Sequence, residues 1–269
     1  MTTPPRSATL FAALLKYWRG LRGMTQLDLA LAADVSTRHL SYLENGRAKP
    51  SREMVLVLGA KLDLPLREQN AFFEAAGFAP PFPEPSVDGE LDPPIAFALE
   101  RMFAHHEPYP MVAMNRRYDI LRHNHGFAKL IAPLGAEALS KPLNAFHMLF
   151  DPALARPLVV DWPRTARALL SRLHRESLHR PKDPSLASLL EEMLAYPDVP
   201  AEWRQPDFAT ASLPTFSLGL RWGGATLRLL TTVTAFSAPG NVTLEELQIE
   251  AYFPLDEATE RTFESMRAR

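Results

Sequence analysis

The side chains best suited to chemistry cluster between Gln26 and Lys49. Arg38 can fork onto the O6 and N7 acceptors of a guanine, which no neutral side chain nearby can do. Thr37, Ser41 and Tyr42 share its helical face. Gln26 and Ser36 stand at helix N-termini, whose amide groups and dipole favour phosphate oxygens. Asn45, Arg47 and Lys49, all polar or cationic, follow the helix. Leu40 and Leu43 point the other way and read as core.

Other groups of reactive residue types carry less. His105-His106-Glu107, His123-Asn124-His125 and the pair His174 and His179 lack the one-face spacing and third ligand of a metal site. Gly223-Gly224 has no strand–loop–helix context for phosphate and reads as a hairpin turn. No nucleophile stands with a base. Neither enzyme, metal site nor cofactor is expected. The arginines of the segment 163–180 read as a solvated helix face.

The DNA-facing residues need two short helices held at a fixed angle. Thr25 and Ser36 are capping types, with Asp28 three residues after Thr25. Val35 pins the turn, and Asp34 stands where the chain needs φ > 0. Around this pair the spacing predicts three more helices. One covers about residues 8–21, with Leu10, Leu14, Tyr17, Trp18 and Leu21 inward. One runs from Ser51 to about Leu62, and one from Pro65 to Gly77. In the second helix, Leu27, Ala30 and Leu31 are expected inward.

The whole chain bounds the rest. Its 269 residues suit two ordinary domains. Net charge is −2, yet residues 1–80 carry 10 Lys+Arg against 7 Asp+Glu and the remainder 19 against 24. A basic front and an acidic back fit a DNA-binding front domain. Cysteine is absent, and no run reaches the roughly 18 apolar residues of a membrane span. With no signal peptide evident, a cytoplasmic protein without membrane contact is expected.

Six prolines between Pro80 and Pro94 interrupt both helix and strand. They divide the chain into a domain at 7–79, a linker at 80–94 and a domain at 95–269. In the second domain, 111–114 and 118–123 read as strands. Short helices follow at about 126–130 and 143–150, then amphipathic ones at 163–179 and 186–196. In the latter region Ala166, Leu169, Leu170, Leu173 and Leu178 face in. Strands at 216–222, 226–236 and 244–253 alternate with period two, and a helix at 256–266 closes the chain. An α+β domain with a five-stranded antiparallel sheet is expected.

The run from Thr25-Gln26 through Leu29-Ala30, Asp34-Val35-Ser36, Leu40-Ser41 and Glu44-Asn45-Gly46 resembles the Xre/Cro-type helix-turn-helix family. Asp34 replaces the usual Gly and Leu40 the commoner Ile. The likeness implies a five-helix lambda-repressor-like domain, a double-stranded DNA operator and, since one recognition helix reads a half-site, a homodimer. It also implies base contacts from Thr37, Arg38, Ser41 and Tyr42 and phosphate contacts from Gln26, Ser36, Asn45, Arg47 and Lys49. Further along, Lys49-Pro50-Ser51-Arg52, Pro65-Leu66-Arg67-Glu68, Ala75-Ala76-Gly77-Phe78, Glu107-Pro108-Tyr109-Pro110, Asn115-Arg116-Arg117-Tyr118 and Asn124 are similar to the MmyB-like transcription regulators. Tyr118 stands where that family more often has Trp.

This second resemblance implies a PAS-like domain with a pocket for a small apolar ligand, a fatty acid above all. Candidate lining residues are Phe127, Leu130, Phe146, Phe150, Leu169, Leu173, Phe216, Leu218, Leu229, Val233 and Ile249. An acyl carboxylate would need a donor at the mouth, for which Arg117, His123, Asn124 and His147 are candidates. The other reading stays open: a back domain that only dimerises or binds a partner.

Overall fold

The computed structural model describes residues 6–87, 91–135, 142–179, 184–205, 216–237 and 239–267. The chain divides into two compact units, residues 1–85 with 238–245, and residues 86–237 with 246–269.

The first unit holds α1 (Arg6–Leu21), α2 (Gln26–Ala32), α3 (Thr37–Glu44), α4 (Arg52–Lys61) and α5 (Leu66–Ala75). The Thr25 hydroxyl accepts from Asp28 N–H while the Asp28 carboxylate accepts from Thr25 N–H, a complete capping box on α2. Ser36 and Ser51 accept from the N–H groups of His39 and Met54. Asp34 takes φ 55° in the turn between α2 and α3. Phe11, Leu15, Leu29, Leu40, Leu43, Leu58, Phe72 and Phe73 form the core, with the Phe11 and Phe72 rings stacked at 4.5 Å.

Two helix phases differ from expectation. On α1, Phe11, Leu15 and Trp18 are buried and Leu10 and Leu21 exposed. On α2, Leu29, Ala30 and Ala33 face inward, leaving Leu27 55% and Leu31 72% exposed. The α2 sequence has leucine at alternate positions, a pattern without helical phase. The small side chains of Ala30 and Ala33 decide it, because only that face lets α3 approach closely.

The proline segment is partly built into this unit. Asn70 brackets Phe82, donating to its carbonyl at 2.7 Å and accepting from its N–H at 3.1 Å. A short helix, α11 (Val242–Glu246), packs here too. Val242 N–H donates to Pro83 O at 3.0 Å, and Thr243 Oγ1 to Pro85 O at 2.7 Å. Leu66 N–H, at the start of α5, donates to the Glu245 carboxylate at 2.7 Å. Residues 80–85, read from sequence as linker, are therefore fixed by hydrogen bonds.

The second unit opens with α6 (Pro93–His106), which starts inside the segment read as linker. Strands β1 (Met111–Met114), β2 (Ile120–His123), β3 (Phe216–Trp222), β4 (Ala225–Thr234) and β5 (Gln248–Pro254) form one antiparallel sheet in the order β2-β1-β5-β4-β3. Helices α7 (His125–Ile131), α8 (Ala145–Phe150), α9 (Trp162–His179), α10 (Pro184–Leu194) and α12 (Glu257–Arg267) complete it. The fold is the expected α+β class.

Gly223 and Gly224, at φ 54° and 83°, turn β3 into β4. Residues 242–246, by contrast, form α11, so the strand expected from residue 244 starts at Gln248. Pairing sets the faces of the sheet. Thr231 opposes Tyr252, Glu250 opposes Val112, and Leu218 opposes Leu229. Val112 and Met114 pack with Phe146, Phe150, Leu169, Leu173 and Leu189, so this face carries the helical layer. Leu178 ends α9 exposed.

Candidate nucleic-acid interface and ligand pocket

Helix α3 presents one polar face. Arg38 is exposed; its Nε donates to the Tyr42 hydroxyl at 3.0 Å and its guanidinium lies 5.4 Å from the centre of the Tyr42 ring. Thr37, Ser41 and Tyr42 are half-buried on this face. Asn45 caps the helix C-terminus, its Nδ2 donating to Ser41 O at 2.7 Å. Arg47 and Lys49 are exposed just beyond. None of the three cations makes an ion pair with a described residue. Ser36 Oγ accepts from His39 N–H at 3.1 Å and caps the helix.

Glu44, on the inner side of α3, ties the motif together. Arg19 donates to its two oxygens at 2.5 and 3.1 Å, and Gln26 Nε2 donates at 2.7 Å. Burial opposes ionisation, but the bonds from Arg19 and Gln26 outweigh it and hold the Glu44 carboxyl below its ordinary pKa. Gln26 is thereby fixed at the N-terminus of α2. Sequence reasoning missed this pair, since neither partner's spacing announces the other 25 residues away.

The second unit contains a half-open apolar cavity of about 60 Å³ between the sheet and the helices. Its walls come from Ile120, Phe127, Leu130, Ile131, Leu134, Ala145, Met148, Leu149, Ala155, Leu158, Leu218, Leu220, Arg221, Trp222 and Tyr252. Of the candidate lining residues, Phe127, Leu130 and Leu218 are in the wall. Phe146, Phe150, Leu169 and Leu173 lie in the packed core behind it. Leu229 packs with Phe263 and Met266 of α12. Phe216 opens β3, and its side chain lies outside the described ones.

Two candidates must be corrected. Ile249 is 1% exposed but lies on the opposite face of β5 from Glu250 and Tyr252. Strand β5 is central and buried on both sides, so alternation reveals two faces without saying which one meets the helices. Val233 shares the helical face but lies near the end of β4, 45% exposed.

The candidate polar anchors also have structural duties and line no part of the cavity. Arg117 donates to both Glu192 oxygens, at 2.8 and 2.7 Å, and to Ser185 O. Asn124 caps α7 and holds Met111 N–H and Tyr109 O. His147 meets Tyr196 and Glu192, and His123 sits against Asn124 O. The charged residue bordering the cavity is Arg221, which alternates with Leu218, Leu220 and Trp222 on β3 and donates to Pro157 O at 2.9 Å. The alternation on β3 carried its neighbours Leu220 and Trp222 alongside Leu218; nothing in that pattern marked Arg221.

Behind Tyr252 lies a buried polar network. Burial pushes the Glu250 carboxyl up, against Arg172 and hydrogen bonds to Tyr252 and Thr231. Arg172, expected on the outer face of α9, turns inward: it donates to Glu176 at 3.0 Å and lies 5.2 Å from the centre of the Tyr118 ring. Tyr118 donates to the same carboxylate. Burial raises both the Tyr118 and Tyr252 hydroxyls far above the ordinary tyrosine range.

Comparison with known proteins gives two family matches. Residues 95–266 match the MmyB-like transcription regulator ligand binding domain, and residues 15–69 match a helix-turn-helix family. No curated protein matches. Among solved structures, the clp gene regulator ClgR from C. glutamicum is 31% identical over 29% of this chain and 96% of its own, with a TM-score of 0.25. The PAS domain of an HTR-like protein from Haloarcula marismortui is 10% identical over 60% of this chain and 95% of its own, with a TM-score of 0.27. No helix among the described residues is long and apolar enough to cross a membrane.

Proposed function

The chain belongs to the MmyB-like transcription regulators, and we propose that it is a homodimeric operator-binding switch whose second domain takes a slim apolar ligand of the fatty-acid class. That it is a DNA-binding transcription regulator with a ligand-binding domain follows from the two family matches. The finer reading rests on the cavity, a carbon-lined space bordered by one cation. Ligand sites are mostly apolar with a few placed polar groups. DNA contacts are assigned to Gln26, Ser36, Thr37, Arg38, Ser41, Tyr42, Asn45, Arg47 and Lys49, two copies of which would read the two half-sites.

One observation favours a second reading. The cavity of about 60 Å³ is far below the roughly 300 Å³ of ordinary ligand sites. A domain that only dimerises or binds a partner would also be this closed. Native mass spectrometry of the purified protein, with and without added fatty acid, separates the two. A bound acyl chain whose presence changes gel-shift affinity for the promoter beside its own gene supports the switch. An empty domain with unchanged DNA affinity supports the second reading. Absence of salt-sensitive, sequence-selective retardation would remove operator binding itself.

A further inference from the structure

We propose that the second unit carries a further site, a polar cavity on α9 that takes a neutral, hydroxyl-rich small molecule of the monosaccharide class. It is independent of the apolar-ligand reading, because the two cavities share no wall residue.

The cavity is half-open and measures about 270 Å³, close to the roughly 300 Å³ at which ordinary ligand sites begin. One wall is a stripe of α9. Arg167, Leu170, Ser171 and His174 recur at i, i+3, i+4 and i+7, so all four project from one side of the helix. The facing wall is Trp203, in the short 3₁₀ turn Ala201–Arg204, with Glu202 and Gln205 beside it. That turn is held in place. Trp203 O accepts from His174 Nε2–H at 3.1 Å, the Trp203 ring lies 6.2 Å from the Trp162 ring, and Arg204 pairs with Glu191 of α10 at 3.1 Å.

The chemistry of the walls selects the ligand. Ser171 and His174 are buried polar residues, 8% and 7% exposed. The Ser171 hydroxyl bonds no described residue and can both donate and accept. Trp203 O can only accept, so His174 Nε2 carries the proton and Nδ1 keeps a lone pair. Ligand hydroxyls suit both, because each one donates and accepts. Leu170 and the Trp203 ring offer carbon to the C–H face of a sugar ring. The charged members, Arg167 and Glu202, are one of each sign and both exposed. Ion pairs at an exposed rim contribute little, and a charge lowered onto the neutral floor would lose hydration without a counter-charge. A neutral ligand remains.

The test titrates the full-length protein with D-glucose, D-galactose, D-mannose and D-ribose by ligand-detected NMR and calorimetry, with L-serine as a zwitterionic control that also carries a hydroxyl. At least one sugar should bind saturably and L-serine should not. Ser171→Ala should weaken that sugar about fivefold or more; alanine favours a helix, and an unchanged melting temperature checks that the fold is kept. Glu202→Gln, at the rim, should change the affinity by less than about twofold. Binding of none of the sugars overturns the proposal. So does a sugar whose affinity Ser171→Ala leaves unchanged, which places it elsewhere. L-serine binding that Glu202→Gln abolishes would make this a site for a zwitterion and overturn the neutral-ligand assignment.

Discussion

Replacing Arg38 with alanine removes one guanidinium whose surroundings are fixed. Its Nε is committed to the Tyr42 hydroxyl and its plane rests near the Tyr42 ring, which leaves the two terminal nitrogens as a paired edge. A bidentate arginine–guanine contact is worth about 1–3 kcal/mol of discrimination. A free arginine would lose up to about 2 kcal/mol of rotamer entropy on docking, and the tyrosine tether removes part of that cost beforehand. The expected loss is therefore in the upper half of the range, about 2–3 kcal/mol, or roughly 30- to 150-fold in affinity. Tyr42→Phe keeps the ring and deletes the acceptor, so it should cost about 0.5–1 kcal/mol. Fluorescence anisotropy on a selected operator and its single-base variants, at two salt concentrations, reads both effects. Arg38→Ala should flatten the preference at one base position with the melting temperature unchanged, since Arg38 is exposed. A uniform loss on every sequence, with the salt slope reduced by about 1, would make Arg38 a phosphate contact and refute the assignment.

Glu44→Gln should destabilise the first unit by about 1–3 kcal/mol at pH 7, because it leaves the half-buried Arg19 guanidinium without its counter-charge. Since the folded-state pKa of Glu44 lies below its ordinary 4.5, its contribution is present above that value and lost as pH falls through the lower one; denaturant melts should show the variant losing less stability on acidification. Ala155→Leu should fill the cavity: with about 60 Å³ available and about 24 cal/mol per Å³, unliganded stability rises by at most about 1.4 kcal/mol. The same variant should weaken dodecanoate binding at least tenfold, and unchanged binding would place the ligand elsewhere. Gly126→Ala should cost about 1–3 kcal/mol by overpacking, since a Cβ there would stand 2.3 Å from Pro108 O; thermal melts should fall by several degrees, and an unchanged melt would mean that the 108–109 backbone yields.

What could be read from the sequence followed from how local each signal is. The turn of the helix-turn-helix depends on neighbours: Thr25 with Asp28, Ser36 with His39, Asp34 on its own backbone. All three lie within one turn, so residue types suffice. The phases of α1 and α2 depend on which face a distant helix approaches, and leucines at alternate positions in α2 say nothing about that. Helix α6 was hidden by its own start, because Pro93-Pro94 reads as a breaker yet suits a first helical turn. The asparagines show the same limit. Asn124 and Asn144 are buried polar side chains that cap helices and bind backbone, and from sequence a capping asparagine looks no different from a ligand contact.

The proline segment illustrates why a linear division of the chain falls short. Its composition marks a break in regular structure, and the break is real: no helix or strand runs between Ala75 and Pro93 among the described residues. Composition says nothing about what a broken segment is tied to. Here Asn70, Val242 and Thr243 take the hydrogen-bonding groups of Phe82, Pro83 and Pro85. The chain leaves the sheet after β4, contributes residues 238–245 to the first unit, and returns as β5. The units are thus joined at three points along the chain, after residues 85, 237 and 245. A fragment ending at Pro85 keeps the core around Phe11, Leu40 and Phe72, but it loses the carboxylate that receives Leu66 N–H and the buried Val242. The helix-turn-helix is complete in the first 85 residues; the surface of α5 beside it is finished by a segment more than 150 residues away.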